Sequence, residues 1–131
     1  MLDYKLTGRS FANSVKYDHL IIAVDFDGTL CNYDGSPNAH IVRQLRWIKQ
    51  NSKLPVCIIL WTCRVGKDFS EALAWCDRYN APIDYFNESP FEATYHPGGV
   101  HSRKLYADFY IDDHNIEDLD IVIGKLGRMK E

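Results

Sequence analysis

The chain has 131 residues, 46% of them hydrophobic and 25% charged, which is the size and balance of one globular domain whose core needs no staples. Its formal net charge of −3 gives no general attraction to nucleic acid or to an anionic membrane. No apolar run approaches the roughly 20 residues of a membrane span, and Met1-Leu2-Asp3-Tyr4-Lys5 lacks the apolar segment of a signal peptide, so the expected location is the cytoplasm.

Residues 1–18 are polar and mixed, and read as an N-terminal arm on a single domain spanning 1–131. Residues 19–24 are aliphatic and nearly free of charge, which suits a strand covered on both faces in a parallel sheet. That strand empties into Asp25-Phe26-Asp27-Gly28-Thr29. Alternation along a strand points Asp25 and Asp27 the same way and Phe26 oppositely, into packing. Two acids at the carboxyl end of a buried strand stand where open parallel sheets bind ligands. Like charges that close raise one pKa or draw in a cation. Taken alone, D-x-D-G is equally a solvated turn, so the remaining strand ends decide.

Residues 31–37 contain Asp34-Gly35, a tight-turn signal, and read as a small flap. From Asn38, Ile41, Val42, Leu45 and Ile48 follow helical spacing, with Arg43, Gln44, Arg46 and Lys49 opposite, until Asn51 and Ser52. Residues 55–62 form a second buried strand ending on Thr62, followed by the loop Cys63-Arg64-Val65-Gly66-Lys67. A second helix is expected from Asp68, an N-cap with Glu71 three residues on, until Asn80-Ala81-Pro82. Residues 83–86 read as a third strand, followed by Asn87-Glu88-Ser89-Pro90 and an active-side loop over 91–102. Residues 105–111 read as a fourth strand, ending in Asp112-Asp113. In the tail, Leu119, Val122, Ile123 and Leu126 fit a helix over 116–129, with a short strand over 120–123 as the alternative. This alternation predicts an α/β fold, a doubly wound parallel sheet with helices on both faces.

Cys31, Cys57, Cys63 and Cys76 form no C-x-x-C pair, and the five histidines show no H-E-x-x-H spacing. Free core thiols are expected rather than a disulfide framework or zinc site, with Cys63 set apart at a strand end. An EF-hand loop starting at Asp25 would need Gly and Glu where Leu30 and Ser36 stand, and neither Gly-rich phosphate cradle is present.

Buried strands thus end on Asp25 with Asp27, on Thr62, and on Asp112 with Asp113, and Lys104 precedes the last pair. Carboxylates crowded at one rim repel without a cation, and hard oxygen ligands favour Mg²⁺. A lysine and a hydroxyl beside them would hold an anion, a combination suited to phosphoryl transfer. Arg64 falls near the site and could grip a substrate phosphate, although the simpler reading is a solvent-facing guanidinium. Arg103, beside Lys104, could turn inward in its place. Asn87, Glu88, His114 and Asn115 at strand ends are candidate substrate contacts. Tyr33, Tyr85, Phe86, Phe91 and Tyr95 either line the rim or simply pack.

The ordered set D-x-D-G-T, a hydrophobic strand ending in Thr, Lys, and a strand ending in D-D resembles the haloacid dehalogenase superfamily of phosphohydrolases over residues 19–115. The resemblance implies a three-layer α/β/α sandwich with a Rossmann-like parallel sheet and, given the short gaps, no cap domain. It makes Asp25 the nucleophile that forms an aspartyl-phosphate, and Asp27 the general acid and then base. Thr62 and Lys104 would bind the phosphoryl oxygens. Mg²⁺ would be held by Asp25, the Asp27 carbonyl and the final pair, with Asp113 the direct ligand and Asp112 acting through water or a neighbour. The implied activity is phosphomonoester hydrolysis on a phosphorylated substrate at an open site, with a homo-oligomer a further option. A phosphotransferase using an alcohol acceptor, and a catalytically silent binding domain, are the alternatives.

Overall fold

Every side chain of β1, Leu20–Val24, is buried, so this strand needs neighbours on both edges and cover on both faces. The structure, a computed structural model, describes residues 17–91 and 105–130. β1 pairs with β2, Val56–Leu60, on one edge and with β4, Phe109–Ile111, on the other, and β3, Tyr85–Phe86, lies beyond β2. The sheet order is β3-β2-β1-β4 and every pairing is parallel, with Leu20 against Val56 and Ile22 against Phe109.

β3 and β4 begin later than the hydrophobic patterns from 83 and 105 predict, and two aspartates explain why. The Asp84 N–H donates to the Ile58 carbonyl at 2.7 Å while the Ile58 N–H donates to the Asp84 carboxylate at 2.8 Å. Likewise the Asp108 N–H donates to the Ile21 carbonyl at 2.8 Å, and the Ile21 N–H to the Asp108 carboxylate at 2.7 Å. Each carboxylate takes a bond that a strand carbonyl would otherwise accept, so the ladder runs on through a side chain and neither the Ile58 nor the Ile21 N–H is orphaned.

Helix α1, Ala39–Asn51, starts at Asn38, whose side chain accepts from the Ile41 N–H at 3.3 Å. Helix α2 spans Gly66–Arg78. It begins two residues before the expected N-cap, which leaves Asp68 inside its first turn, where a carboxylate opposes the exposed amide dipoles. In the tail the helical alternative is the one realised, as α3, Asp118–Lys130.

The three helices of the described residues bury side chains against Leu20, Ile22 and Val24: Ile41, Leu45 and Ile48 from α1, Ala72 and Cys76 from α2, Leu119, Val122 and Leu126 from α3. The opposite face, with Ile21, Ala23, Cys57 and Ile59, is covered by Leu105 and Ala107 and by Tyr17, Trp61, Phe91, Tyr106 and Tyr110. Handedness accounts for this division. The steps β1 to β2 to β3 run one way, putting α1 and α2 on one face. The step back to β4 runs the other way, and the described ends of its connection, Phe91 and Leu105 to Ala107, lie on the opposite face. The result is the expected α/β fold with a Rossmann-like parallel sheet, its second covering layer built, among the described residues, from the segments flanking the strands. The N-terminal arm up to residue 16 and the loop over 92–104 lie outside the described residues.

Cys31, Cys57 and Cys76 are buried free thiols and Cys63 is exposed and free. Burial pushes the Cys57 thiol up to about 11 and the Cys76 thiol up to about 12. Among the described residues no helix is long and apolar enough to cross a membrane.

Candidate active site

Parallel strands deliver their carboxyl ends to one edge, and β1 sits between β2 and β4 there. The ladder continues one residue past each strand, with the Trp61 N–H donating to the Val24 carbonyl at 2.8 Å and the Asp25 N–H to the Ile111 carbonyl at 2.9 Å. Asp25, Trp61, Thr62, Cys63, Asp112 and Asp113 consequently line a single cavity of about 220 Å³. Burial raises the Asp25 carboxyl above its ordinary range; the Phe26 N–H bonded to it opposes the rise, and the charges of Asp27, Asp112 and Asp113 add to it.

Asp27 departs from the expectation that it shares a face with Asp25. The strand stops at Val24, and turn bonds follow, from the Cys31 N–H to the Phe26 carbonyl at 2.9 Å and from the Gly28 N–H to the Cys31 carbonyl at 2.8 Å. Alternation no longer applies inside a turn. Gly28 holds φ at +78°, with the Tyr33 hydroxyl where a Cβ would stand. Phe26 does enter the core, edge-on to Trp75 with ring centroids 5.1 Å apart. The Asp27 carboxylate turns instead to Arg64, which donates from Nε to Oδ2 at 2.9 Å and from Nη2 to Oδ1 at 2.8 Å.

Arg64 is therefore neither a solvent-facing arginine nor poised on a substrate phosphate. Its third nitrogen, Nη1, donates to the Asp68 carbonyl at 3.1 Å, and its guanidinium carbon lies 4.9 Å from the Phe26 ring centre. The fork matches a carboxylate bidentately. The hydrogen bonds from Arg64 hold the Asp27 carboxyl below the usual carboxylate range.

Thr62 is fixed by Asn87, whose place at a strand end marks it in the sequence only as a candidate substrate contact. Asn87, in left-handed backbone at φ 54°, accepts from the Thr62 N–H at 2.8 Å and donates to the Thr62 carbonyl at 2.9 Å. The Thr62 Oγ1 accepts from the Arg64 N–H at 3.2 Å. Asn115 does the same for β4: it accepts from the Asp112 N–H at 2.6 Å and donates to the Tyr110 carbonyl. For Asn87 the sequence signal is an asparagine directly after a strand, where a left-handed residue is tolerated; Asn115 follows β4 by four residues and carries no such signal. The Asp112 carboxylate accepts from the His114 N–H at 2.9 Å, and the His114 Nε2 lies 3.7 Å from the Asp113 Oδ1. Glu88 lines a second cavity beside Arg64.

The donor chemistry of Asp25, Asp112 and Asp113 is that of a hard divalent cation. These carboxylates line the cavity wall, and among the described residues no group of three or more His, Cys, Asp or Glu is gathered tightly enough to hold an ion. Asp27 stands apart because its carboxylate is taken by Arg64, which leaves only its backbone carbonyl in the expected ligand set. Lys104, Arg103 and Tyr95 lie outside the described residues. Tyr33 and Tyr85 are exposed, while Phe91 covers the sheet with Tyr17, ring centroids 5.2 Å apart. The segment between Asp27 and α1 is a flap of turns pinned by Trp75, whose Nε1 donates to the Gly35 carbonyl at 2.8 Å, too short for a cap domain.

No family model matches the chain, and no curated protein does. A solved structure described as that of a conserved protein coded by a locus from Bacteroides thetaiotaomicron is 33% identical, covering 85% of this chain and 91% of that one with a TM-score of 0.58. At that identity and coverage the likeness extends beyond fold, and the chain belongs to the same family as this conserved Bacteroides thetaiotaomicron protein.

Proposed function

We propose that the chain is a Mg²⁺-dependent phosphatase of the haloacid dehalogenase type, acting in the cytoplasm on a phosphorylated substrate. The observation that carries the reading is the convergence of Asp25, Thr62, Asp112 and Asp113 on one cavity at the carboxyl edge of the sheet. An Asp25 oxygen attacks phosphorus as the bond from phosphorus to the leaving oxygen breaks, and Asp27 gives that oxygen its proton. Water, losing a proton to Asp27, then attacks phosphorus and releases Asp25 and inorganic phosphate. The Thr62 hydroxyl and Lys104 bind the phosphoryl oxygens. Asp25, Asp112, Asp113 and the Asp27 carbonyl are the groups that would hold Mg²⁺, and they would have to draw closer together than they stand here to do so; the ion would offset charge on the transferred group.

This role requires Asp27 to leave Arg64, since a carboxylate held by two guanidinium bonds is a poor proton donor. That pairing favours the second reading, a catalytically silent binding domain of the same fold. Hydrolysis of p-nitrophenyl phosphate separates the two. The phosphatase reading expects turnover with Mg²⁺, loss with chelator, and loss in Asp25→Asn. No turnover across sugar phosphates, nucleotides and phosphopeptides would leave the binding reading.

A further inference from the structure

A second cavity, of about 460 Å³, opens beside the first, lined by Arg64, Val65, Gly66, Phe69, Phe86, Asn87 and Glu88. It lies between the first turn of α2 and the end of β3, on the same edge of the sheet as Asp25. The segment from Thr62 to Arg64 divides the two: Thr62 lines the Asp25 side, Arg64 the other, and Asn87 is bonded to Thr62 across the divide. The first cavity, at about 220 Å³, falls below the roughly 300 Å³ at which small-molecule sites begin. It has room for a phosphoryl group and an ion, and the organic part of a substrate must lie elsewhere. The second cavity is of small-molecule size. It also starts at the Arg64 side chain that holds Asp27, the group assigned to protonate the leaving oxygen.

We infer that this second cavity is the leaving-group pocket, and that it selects a flat aromatic group carrying a hydrogen-bond donor. The inference rests on the phosphatase reading of the Asp25 cavity. Phe69 and Phe86 supply two aromatic walls and Val65 an apolar lip, which suit a ring better than a sugar or a short polyol. The polar wall is unequal. The Asn87 amide is already engaged at both ends by Thr62, and Arg64 by Asp27 and the Asp68 carbonyl. The carboxylate of Glu88 is left to meet the ligand. As an acceptor it selects an amine or hydroxyl on the ring and disfavours a second anion.

The test compares 4-aminophenyl phosphate, phenyl phosphate and β-glycerol phosphate as substrates. It also follows binding of the product 4-aminophenol to the magnesium-loaded full chain by amide NMR. The wild type is expected to prefer the aryl over the glyceryl ester, and 4-aminophenyl over phenyl phosphate, in kcat/KM. Phe69→Ala should cut the aryl-to-glyceryl ratio about tenfold, the loss of one aromatic contact, and Glu88→Ala should abolish the preference for the amine. 4-Aminophenol should shift the amides of Gly66, Phe69, Phe86 and Glu88, and do so less in both variants. No shift at those residues, or ratios that the variants leave unchanged, overturns the inference. Failure of the phosphatase reading looks different: the wild type hydrolyses no ester while 4-aminophenol still shifts the same four amides. That outcome removes the leaving-group role and leaves a ligand cavity.

Discussion

Asn87 and Thr62 hold each other by two hydrogen bonds, the asparagine amide accepting from the Thr62 N–H at 2.8 Å and donating to its carbonyl at 2.9 Å. This clasp sets where the Thr62 hydroxyl stands relative to Asp25. Asn87→Ala removes both bonds and puts a Cβ-bearing residue without a local partner at φ 54°. The expected cost is about 2–3 kcal/mol, from the unpaired Thr62 N–H and from left-handed strain. Asn87→Gly relieves the strain and should recover about 1 kcal/mol of that. Urea unfolding of the two variants measures the difference, and turnover should fall in both.

The meeting of Asp25, Thr62, Asp112 and Asp113 was legible in the sequence because it needs only parallel strands, and parallel strands with polar ends all face one edge. The pairing of Asp27 with Arg64 was not. Those residues are 37 positions apart, and the contact depends on how the turn after Val24 twists, which side-chain alternation does not describe. Asp84 and Asp108 read as ordinary polar residues inside strand patterns, yet each delays the start of its strand by accepting a ladder bond with its side chain. α2 starts two residues before Asp68, a residue that by type fits both an N-cap and a first turn, and only the backbone distinguishes them.

The Asp27–Arg64 pair should show itself in acid. A carboxyl held below its unfolded value contributes stability that is present above the unfolded pKa and lost as pH falls through the folded one. Arg64→Ala should therefore be less stable than the wild type at neutral pH, and the two should converge as acid protonates Asp27. With the Asp27 side chain 46% exposed and the Arg64 side chain 28% exposed, solvent screening keeps the difference at about 1 kcal/mol or less. Thermal unfolding across an acid series reads it.

Asp25 carries the opposite sign. A carboxyl raised in the folded state adds stability only while it is protonated, below the unfolded pKa, and that contribution is lost as pH rises through the raised value. The charged form is thus a burden at neutral pH. Asp25→Asn, which keeps an acceptor for the Phe26 N–H, should melt higher than the wild type at neutral pH, with the gap closing in acid.

Thiol chemistry should single out one position. Cys31, Cys57 and Cys76 are buried and their thiols are pushed up by burial, while Cys63 is exposed at the cavity. Reaction with an aromatic disulfide reagent at neutral pH should label Cys63 alone in the folded chain and all four cysteines in denaturant. A bulky label there should slow turnover by obstructing the cavity. Rapid labelling of Cys57 or Cys76 in the folded state would contradict the packing described.

The most direct measurement is chemical capture of the proposed aspartyl-phosphate. Borohydride added during turnover of an aryl phosphate with Mg²⁺ reduces an aspartyl-phosphate to homoserine. Peptide mass spectrometry is expected to find homoserine at position 25 only, dependent on both substrate and Mg²⁺. Hydrolysis that proceeds with Asp25 unmodified, or homoserine appearing at Asp27, Asp112 or Asp113 instead, would contradict it.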